Sequence, residues 1–417
     1  MTESRPEHFD VCIVGGGIVG LTQAALLSEL DLSVAVVEQS GLPPSPASTD
    51  PAADEYSLRV SAINLASMRI FQHLGIARNI RDTRASGYRR MQIWDANSDA
   101  GIQFKADDID HEFLGFIIEN DLIINKLFDL LDARKNVVFF NIPLCSLDQE
   151  TNGIRIGLGE SSIQAALLIG ADGQFSRVRK LAGIATEAGL FNQRALVCRI
   201  ATELPHRQTA YQCFHHHGPI AYLPLADGSS SIVWSCDTDR ARELSGLDDP
   251  AFAEAIEHAM QSALGRISIK GPRGAFDLAQ QHALSYIAPR IALVGDAAHR
   301  THPLAGLGAN LGLQDAAVLS EQLELALSRH RPFHGNTALR RYERIRKHQN
   351  SLVLSAMQAF KSGFASSSPA VTSLRALAMN SADRMWPLKS LISQLATGDM
   401  GDLPRICRPG ANHDTGY

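Results

Sequence analysis

The sequence holds six cysteines, Cys12, Cys145, Cys198, Cys213, Cys236 and Cys407, and no two form a CxxC pair. That spacing excludes a dithiol redox motif and does not suit a disulfide framework. It fits a reduced, cytosolic protein with buried thiols, and none of the six is placed as a nucleophile. Positive charge is not in excess. There are 39 Lys and Arg against 44 Asp and Glu, a formal net charge of −5, so no basic surface for nucleic acid is expected. No apolar run reaches the roughly 18 residues that a membrane span needs. Met1–Asp10 is polar and lacks the apolar centre of a secretory signal. Internal repeats are absent too. The expectation is a soluble, cytoplasmic protein without a transmembrane segment, at most peripheral to a membrane and still able to act on a lipid-like substrate.

What is present is ordinary globular material: 417 residues, 45% hydrophobic and 20% charged, enough for two or three packed domains. The chain opens as strand–turn–helix–strand, with Phe9–Val14, Ile18–Leu30 and Ser33–Glu38 as the elements. Gly41–Asp54, rich in Pro, Ser and Ala, reads as a mobile loop. A helix over Ala66–Leu74 ends at Gly75 as its C-cap. Tyr88–Trp94 and Gly101–Phe104 read as a hairpin, Leu122–Leu131 as a helix, and Val137–Phe140 as the next strand. Gly153–Leu158 and Ile163–Ile169 form an antiparallel pair.

Strand-like stretches then dominate from about Ala185 to Ala283: Arg194–Thr202, Thr209–Phe214, Ala221–Pro224 and Ser230–Ser235, with Pro250–Gly265 as one helix. Ile291–Val294 is apolar again, and Gly312–Ser328 is a periodic helix. The tail after about Thr337 is helical, and its basic run (Arg340, Arg341, Arg344, Arg346, Lys347) reads as a solvated face.

Three motifs carry chemistry. The first is Gly15-Gly16-Gly17-Ile18-Val19-Gly20, a G-x-G-x-x-G between a strand and a helix. Gly15 permits the tight turn, Gly17 lets a phosphate approach the backbone, and Gly20 lets the helix pack closely on the sheet. The helix N-terminus at Ile18 and Val19 offers free N–H groups to a pyrophosphate. Glu38, followed by Gln39, ends the second strand 38 − 20 = 18 positions past the last glycine, where an acidic residue takes a ribose hydroxyl. The pattern implies a dinucleotide without choosing between FAD and NAD. The second motif is Asp172-Gly173, followed by Ser176, Arg177 and Arg179. The third is Gly295-Asp296-Ala297-Ala298-His299, then Pro303-Leu304-Ala305-Gly306-Leu307-Gly308-Ala309-Asn310. Its Asp can accept hydrogen bonds from a sugar-like hydroxyl chain. Its small-residue loop opens a helix whose N–H groups can face a reduced flavin.

In this order and spacing the three motifs resemble the group A flavin monooxygenases related to p-hydroxybenzoate hydroxylase. Within that group, the run from Gly295 to Asp315 resembles the ubiquinone-biosynthesis hydroxylases. Leu58–Ala62, Ile118-Glu119-Asn120, Gly218–Leu225 and Gly401–Pro404 fit the same subfamily, so the likeness runs nearly end to end. The resemblance implies a mixed α/β fold: a Rossmann-type FAD-binding domain with an inserted antiparallel-sheet substrate domain and a helical C-terminal tail. It divides the chain into FAD-binding residues 1–75, 101–184 and 285–340, substrate-domain residues 76–100 and 185–284, and a helical region 341–417.

It also implies site roles. Gly15, Gly17 and Gly20 hold the pyrophosphate and Glu38 the adenosine ribose. Arg59 lies beside the pyrophosphate or flavin, and Glu119 on the adenosine side. Asp172 and Gly173 serve both FAD and the nicotinamide cofactor. Gly295 and Asp296 take the ribityl chain, while Pro303, Gly306, Gly308, Ala309 and Asn310 lie along the isoalloxazine ring. Leu223, Pro224, His299 and Pro303 are the catalytic candidates, and Ala221–Pro224 are expected to form one wall of an apolar pocket above the flavin. Two positions depart from the subfamily: Leu307 stands where Gln is usual, and Asp121 where a basic or apolar residue is commoner.

The implied reaction is aromatic hydroxylation: NAD(P)H reduces FAD, and O2 gives a flavin C4a-hydroperoxide that transfers one oxygen atom to a polyprenyl phenol. The absence of a second strand–GxGxxG–helix suits NAD(P)H that binds transiently. An epoxidase, halogenase or reductase on an isoprenoid, or a non-catalytic FAD-binding subunit of a quinone-biosynthesis complex, are the alternative readings. A homo-oligomer is equally open. His215-His216-His217 alternates faces along a strand and so cannot converge on one metal ion. Trp234 suits core better than cavity.

Overall fold

The computed structural model describes residues 7–42, 56–215, 218–300, 307–365, 397–399 and 401–410. The Pro/Ser-rich stretch from 43 to 55, His216, His217, Pro303 and Gly306 lie outside them. Two eight-stranded sheets and one three-stranded sheet organise the chain.

Five parallel strands form the spine of the first sheet: Ile291–Leu293, Ser161–Gly170, Glu7–Val14, Val34–Val37 and Val137–Phe140, in that spatial order. Val11 to Ile13 and Val34 to Val36 are fully buried without alternation, because both faces of a parallel sheet are covered. Gly153–Leu158 pairs antiparallel with Ser161–Gly170, as expected, and extends to Leu144–Glu150. The strand Ser161–Gly170 thus serves three neighbours: the hairpin partner and Ile291–Leu293 along one edge, and the first strand of the chain along the other.

Helix Ile18–Ser28 is buried on nearly every residue, between the sheet and helix Leu307–Leu327. The two helices meet closely because Gly312 has no side chain: a β-carbon there would sit 2.6 Å from the Val19 side chain. The three-stranded sheet (Val60–Asn64, Gly115–Glu119, Ser86–Tyr88) and helix Leu65–His73 pack on the same core.

The second sheet runs His299–Arg300, Ile267–Ala283, Thr186–Thr202, Ser230–Asp237, Gly218–Pro224, Thr209–His215, Arg90–Asp95 and Gly101–Lys105. All neighbours are antiparallel except Thr209–His215 with Arg90–Asp95, which run parallel. One face is covered by helices Thr238–Ser245 and Asp249–Ala259, giving a second core around Tyr222, Trp234 and Phe252. The ring of Trp234 stacks on Phe252 at 6.5 Å, so it is core.

Several elements depart from the expected ones. The helix expected over Pro250–Gly265 spans Asp249–Ala259, because Gln261 and Ser262 turn the chain at positive φ while Leu264 still reaches the core. The 17-residue strand Ile267–Ala283 is invisible to pattern reading, since Gly271, Pro272 and Gly274 interrupt its alternation. The hairpin Arg90–Asp95/Gly101–Lys105 lies wholly in the second sheet, whereas Ile76, Ala77 and Ile80 bury in the first core. Sheet membership therefore departs from boundaries at 75/76 and 100/101. The C-terminal helix Asn336–Ala365 and the segment around Cys407 both pack on the first core, through Leu339, Tyr342, Leu403 and Cys407. Arg69 fastens that segment by bonding Asp399 and the Cys407 carbonyl. All six cysteines are free thiols, and Cys145 alone is exposed.

Candidate cofactor site

Parallel strands all end on one edge of their sheet, and ligands of such sheets bind where the strand ends diverge. Four adjacent strands deliver the motifs there. Val14 leads to Gly15, Val37 to Glu38, Gly170 to Asp172, and Leu293 to Gly295 and Asp296. Residues 295 − 15 = 280 positions apart are thereby brought to one rim.

The three glycines of the first motif behave differently. A β-carbon on Gly15, at φ +114°, would meet the Ala171 carbonyl oxygen at 2.3 Å, and one on Gly20 would meet the Gly15 oxygen at 1.9 Å. Both are needed by the protein itself. Gly17 is exposed, and a β-carbon there would meet nothing within 4 Å. Gly17 is also the N-cap of helix Ile18–Ser28, with no side chain bonded to the helix end. A bare helix N-terminus facing open space fits a pyrophosphate. Glu38 stands beside it, accepting from the Gly16 N–H at 2.7 Å and the Ser40 N–H at 2.8 Å.

Asp296 is solvent-exposed, yet burial among surrounding protein atoms pushes its carboxyl pKa up, against the pull of His299, Arg300 and Arg59. Its carboxylate thus lies among the charged groups of His299, Arg300 and Arg59. Arg59 lies over the Phe276 ring at 5.7 Å, on the face of the second sheet opposite its helices. That face looks toward the motif rim. Leu223 is half-buried, whereas Ile220, Tyr222 and Pro224 are buried in alternation on the strand Gly218–Pro224. Leu223 and Pro224 point to opposite faces, so the two expected substrate neighbours do not share a wall.

Other expected side chains are held by the protein. Asp172 accepts from Ser176 Oγ and from the backbone N–H groups of Arg177 and Val178, capping helix Arg177–Leu181. Gly173 beside it faces open space at φ +74°. Asn310 accepts from the Asn64 N–H at 2.9 Å and donates to the Ala62 carbonyl at 2.7 Å, fixing the start of its helix to strand Val60–Asn64. Gly308 and Ala309 precede it in the first turn, and Leu307 opens that helix.

Glu119 is buried in an ion pair with Arg84 and accepts from the Ser57 N–H at 2.6 Å, while Asp121 accepts from Ser57 Oγ at 2.7 Å. Burial pushes the Glu119 pKa up. The two acids clamp the short arm that ends in Arg59, whose carbonyl takes the Asn120 N–H. This gives the unusual Asp121 a use.

Sequence reading missed the centre beneath the rim. Asp315 is fully buried. One oxygen accepts from the Gly295 N–H at 2.9 Å and meets His299 Nε2 at 2.5 Å; the other accepts from Arg346 Nε at 2.7 Å and Asn350 Nδ2 at 3.2 Å. Burial raises its pKa, but His299 and Arg346 together outweigh that and hold it at about 2. His299 is itself buried and stacks on Tyr286 at 5.8 Å, so it acts as a positioning residue for the Gly295–Asp296 turn. Arg346 corrects the reading of the basic run as wholly solvated. The signal was its place on the helix with Leu339, Tyr342 and Asn350, all buried. Arg179 was missed similarly: buried, it donates to the carbonyls of Ala297 and Gln174 and ties the second motif to the third.

Comparison with known proteins agrees with this geometry. The family model described as "FAD binding domain" matches residues 8–356. The 3-demethoxyubiquinol 3-hydroxylase of Escherichia coli is 33% identical over 392 residues, 93% of this chain and 98% of that protein. The mouse mitochondrial ubiquinone biosynthesis monooxygenase COQ6 is 32% identical over 439 residues, covering 93% of this chain and 91% of that protein. Among solved structures, p-nitrophenol 4-monooxygenase PnpA of Pseudomonas putida superposes with a TM-score of 0.74 at 19% identity, covering 93% of this chain and 97% of that one.

Proposed function

Since the chain belongs to the FAD-dependent monooxygenase family that includes the ubiquinone-biosynthesis hydroxylases, we propose that it hydroxylates a polyprenyl phenol on the path to ubiquinone. O2 is the oxygen source and NAD(P)H the reductant. The carrying observation is the rim itself: four adjacent parallel strands of one sheet end at the candidate pyrophosphate glycines, Glu38, Asp172-Gly173 and Asp296.

Bound FAD supplies electron transfer and oxygen activation. The residues of the chain bind, orient and exclude water. The helix N-terminus at Gly17 and Ile18 offers N–H groups to the pyrophosphate. Glu38 has oxygen lone pairs left for a ribose hydroxyl, and Asp296 for the ribityl chain. Gly308 and Ala309, at a helix start fixed by Asn310, offer N–H groups to the ring. Arg59 lies over Phe276 of the second sheet and close enough to Asp296 of the first sheet's rim to lower its pKa. Leu223, on the open face, supplies apolar wall to the phenol.

The purified protein should carry or take up FAD with flavin absorbance, and should consume O2 with NAD(P)H when given a prenylated phenol. Turnover without O2 would overturn hydroxylation in favour of reduction. In the host, gene deletion should accumulate a polyprenyl-phenol intermediate; unchanged quinone would count against the pathway.

A further inference from the structure

The basic run on helix Asn336–Ala365 is left over once Arg346 is assigned to the core. The helix divides sharply. Ala338, Leu339, Tyr342, Arg346, Asn350 and Leu354 are buried, while Arg340, Arg341, Arg344, His348 and Leu352 are exposed. Among the described residues no carboxylate pairs with Arg340, Arg341 or Arg344. Glu343, the acid between them, is turned inward to Ser285 Oγ and the Tyr286 N–H. Arg340 and Arg344 are like charges at i,i+4, a placement that disfavours the helix. This uncompensated charge stands on a protein of net charge −5.

The same surface carries apolar side chains. A groove of about 500 Å³ runs along the helix, lined by Leu284, Ser285, Arg340, Glu343, Arg344, Lys347, His348 and Ser351, so that one carboxylate stands among four basic side chains. Leu284 is 50% exposed at its edge, and Leu352 is 58% exposed one turn beyond His348. Cations flanked by protruding leucines match a lipid interface, where the charge meets anionic headgroups and the leucines enter the acyl boundary. The helix also touches strands Thr209–His215 and Gly218–Pro224 of the second sheet.

We propose that the exposed face of helix Asn336–Ala365, with Leu284, docks the enzyme on an anionic lipid surface. Binding is reversible and electrostatic, for among the described residues no helix is long and apolar enough to cross a membrane.

The test is flotation of the FAD-loaded protein with vesicles of phosphatidylcholine containing phosphatidylglycerol, against phosphatidylcholine alone. Binding is expected to the first only, and to fall as salt is raised. The triple variant Arg340→Gln, Arg341→Gln, Arg344→Gln should bind roughly a hundredfold more weakly, about fivefold per charge removed. It should keep its flavin content and thermal midpoint. Leu352→Ser should weaken binding while keeping the salt dependence. Equal binding to both vesicles, no binding at low salt, or an unchanged triple variant would overturn the proposal. So would capture by heparin without capture by vesicles. Should the triple variant fold poorly, the salt titration and lipid comparison on the unmodified protein still decide. Vesicle binding does not depend on which ring is oxidised, so its failure leaves the hydroxylation reading untouched.

Discussion

Replacing Asp315 by Asn removes one charge and leaves the shape. Arg346, whose side chain is 1% exposed, then keeps a buried guanidinium with no countercharge. Breaking such a pair costs about 3–5 kcal/mol. The lower end applies, because Arg346 still donates to Gln314, Gln349, Asn350 and the Leu311 carbonyl. An Asn side chain also has only one acceptor oxygen. If that oxygen faces Arg346, its NH2 meets the Gly295 N–H, and an unsatisfied buried donor adds about 1–3 kcal/mol. The expected cost is about 4 kcal/mol, a large part of the 5–15 kcal/mol typical of a folded domain. Arg346→Met should cost less, about 2 kcal/mol, because the Asp315 carboxylate keeps the Gly295 N–H, Asn350 and His299 as partners. The double variant should cost about 2 kcal/mol less than the sum, since neither charge is then stranded. Urea unfolding followed by far-UV circular dichroism, at saturating FAD, reads all four corners. Because Asp315 holds the Gly295 N–H, Asp315→Asn should also weaken FAD binding about tenfold, measured by quenching of flavin fluorescence. Additive costs, with coupling below about 0.5 kcal/mol, would refute the reasoning.

Other outcomes follow from the same structure. Gly17→Ala should change stability by no more than about 1 kcal/mol, as its β-carbon meets nothing, yet weaken FAD binding about tenfold or more by titration. Gly20→Ala should fail to fold or lose about 3 kcal/mol or more in urea, because its β-carbon would lie 1.9 Å from a backbone oxygen. Asp315, held at about 2 against an ordinary 3.8, contributes about 2 kcal/mol above pH 4, and this is lost as pH falls from about 4 through 2. Acid titration of stability should therefore be flatter in Asp315→Asn. Trp234→Ala should lose about 3–5 kcal/mol of stability while leaving the KM for the phenol unchanged, the mark of a core residue.

The sequence was most legible where local pattern and chemistry coincide. Strand, glycine turn and helix at Phe9–Leu30 are written in consecutive residues, so the elements could be read. The places of Glu38 and Gly295-Asp296 at strand ends could be read in the same way. What stayed hidden depends on partners far along the chain. Asp315 and Arg346 are 31 positions apart and look like ordinary helix-surface charges until the fold buries them together. Arg179 reads as one cation among several until it reaches Ala297. Glu119 and Asp121 look like departures from a family pattern, and only the position of Ser57 gives them a task. The strand Ile267–Ala283 carries glycines and a proline that break its alternation, so its long pairing with Thr186–Thr202 supplies what propensity does not.

The order of the strands has a consequence in time. The glycine turn leaves the ribosome first, yet the strand beside it, Ser161–Gly170, is made about 150 residues later, and the helix behind it is anchored only when Asn310 exists. At about 5–20 residues per second, that last interval is on the order of 15 to 60 s. For about the first half of it the nascent first strand lacks its partner Ser161–Gly170, and throughout it no cofactor can be gripped from both sides. Loop closure over such separations is slow. FAD is therefore a late arrival, gripped only once Asn310 is made, and cells short of flavin should lose this protein as unfinished folding intermediates before they lose it as an inactive enzyme.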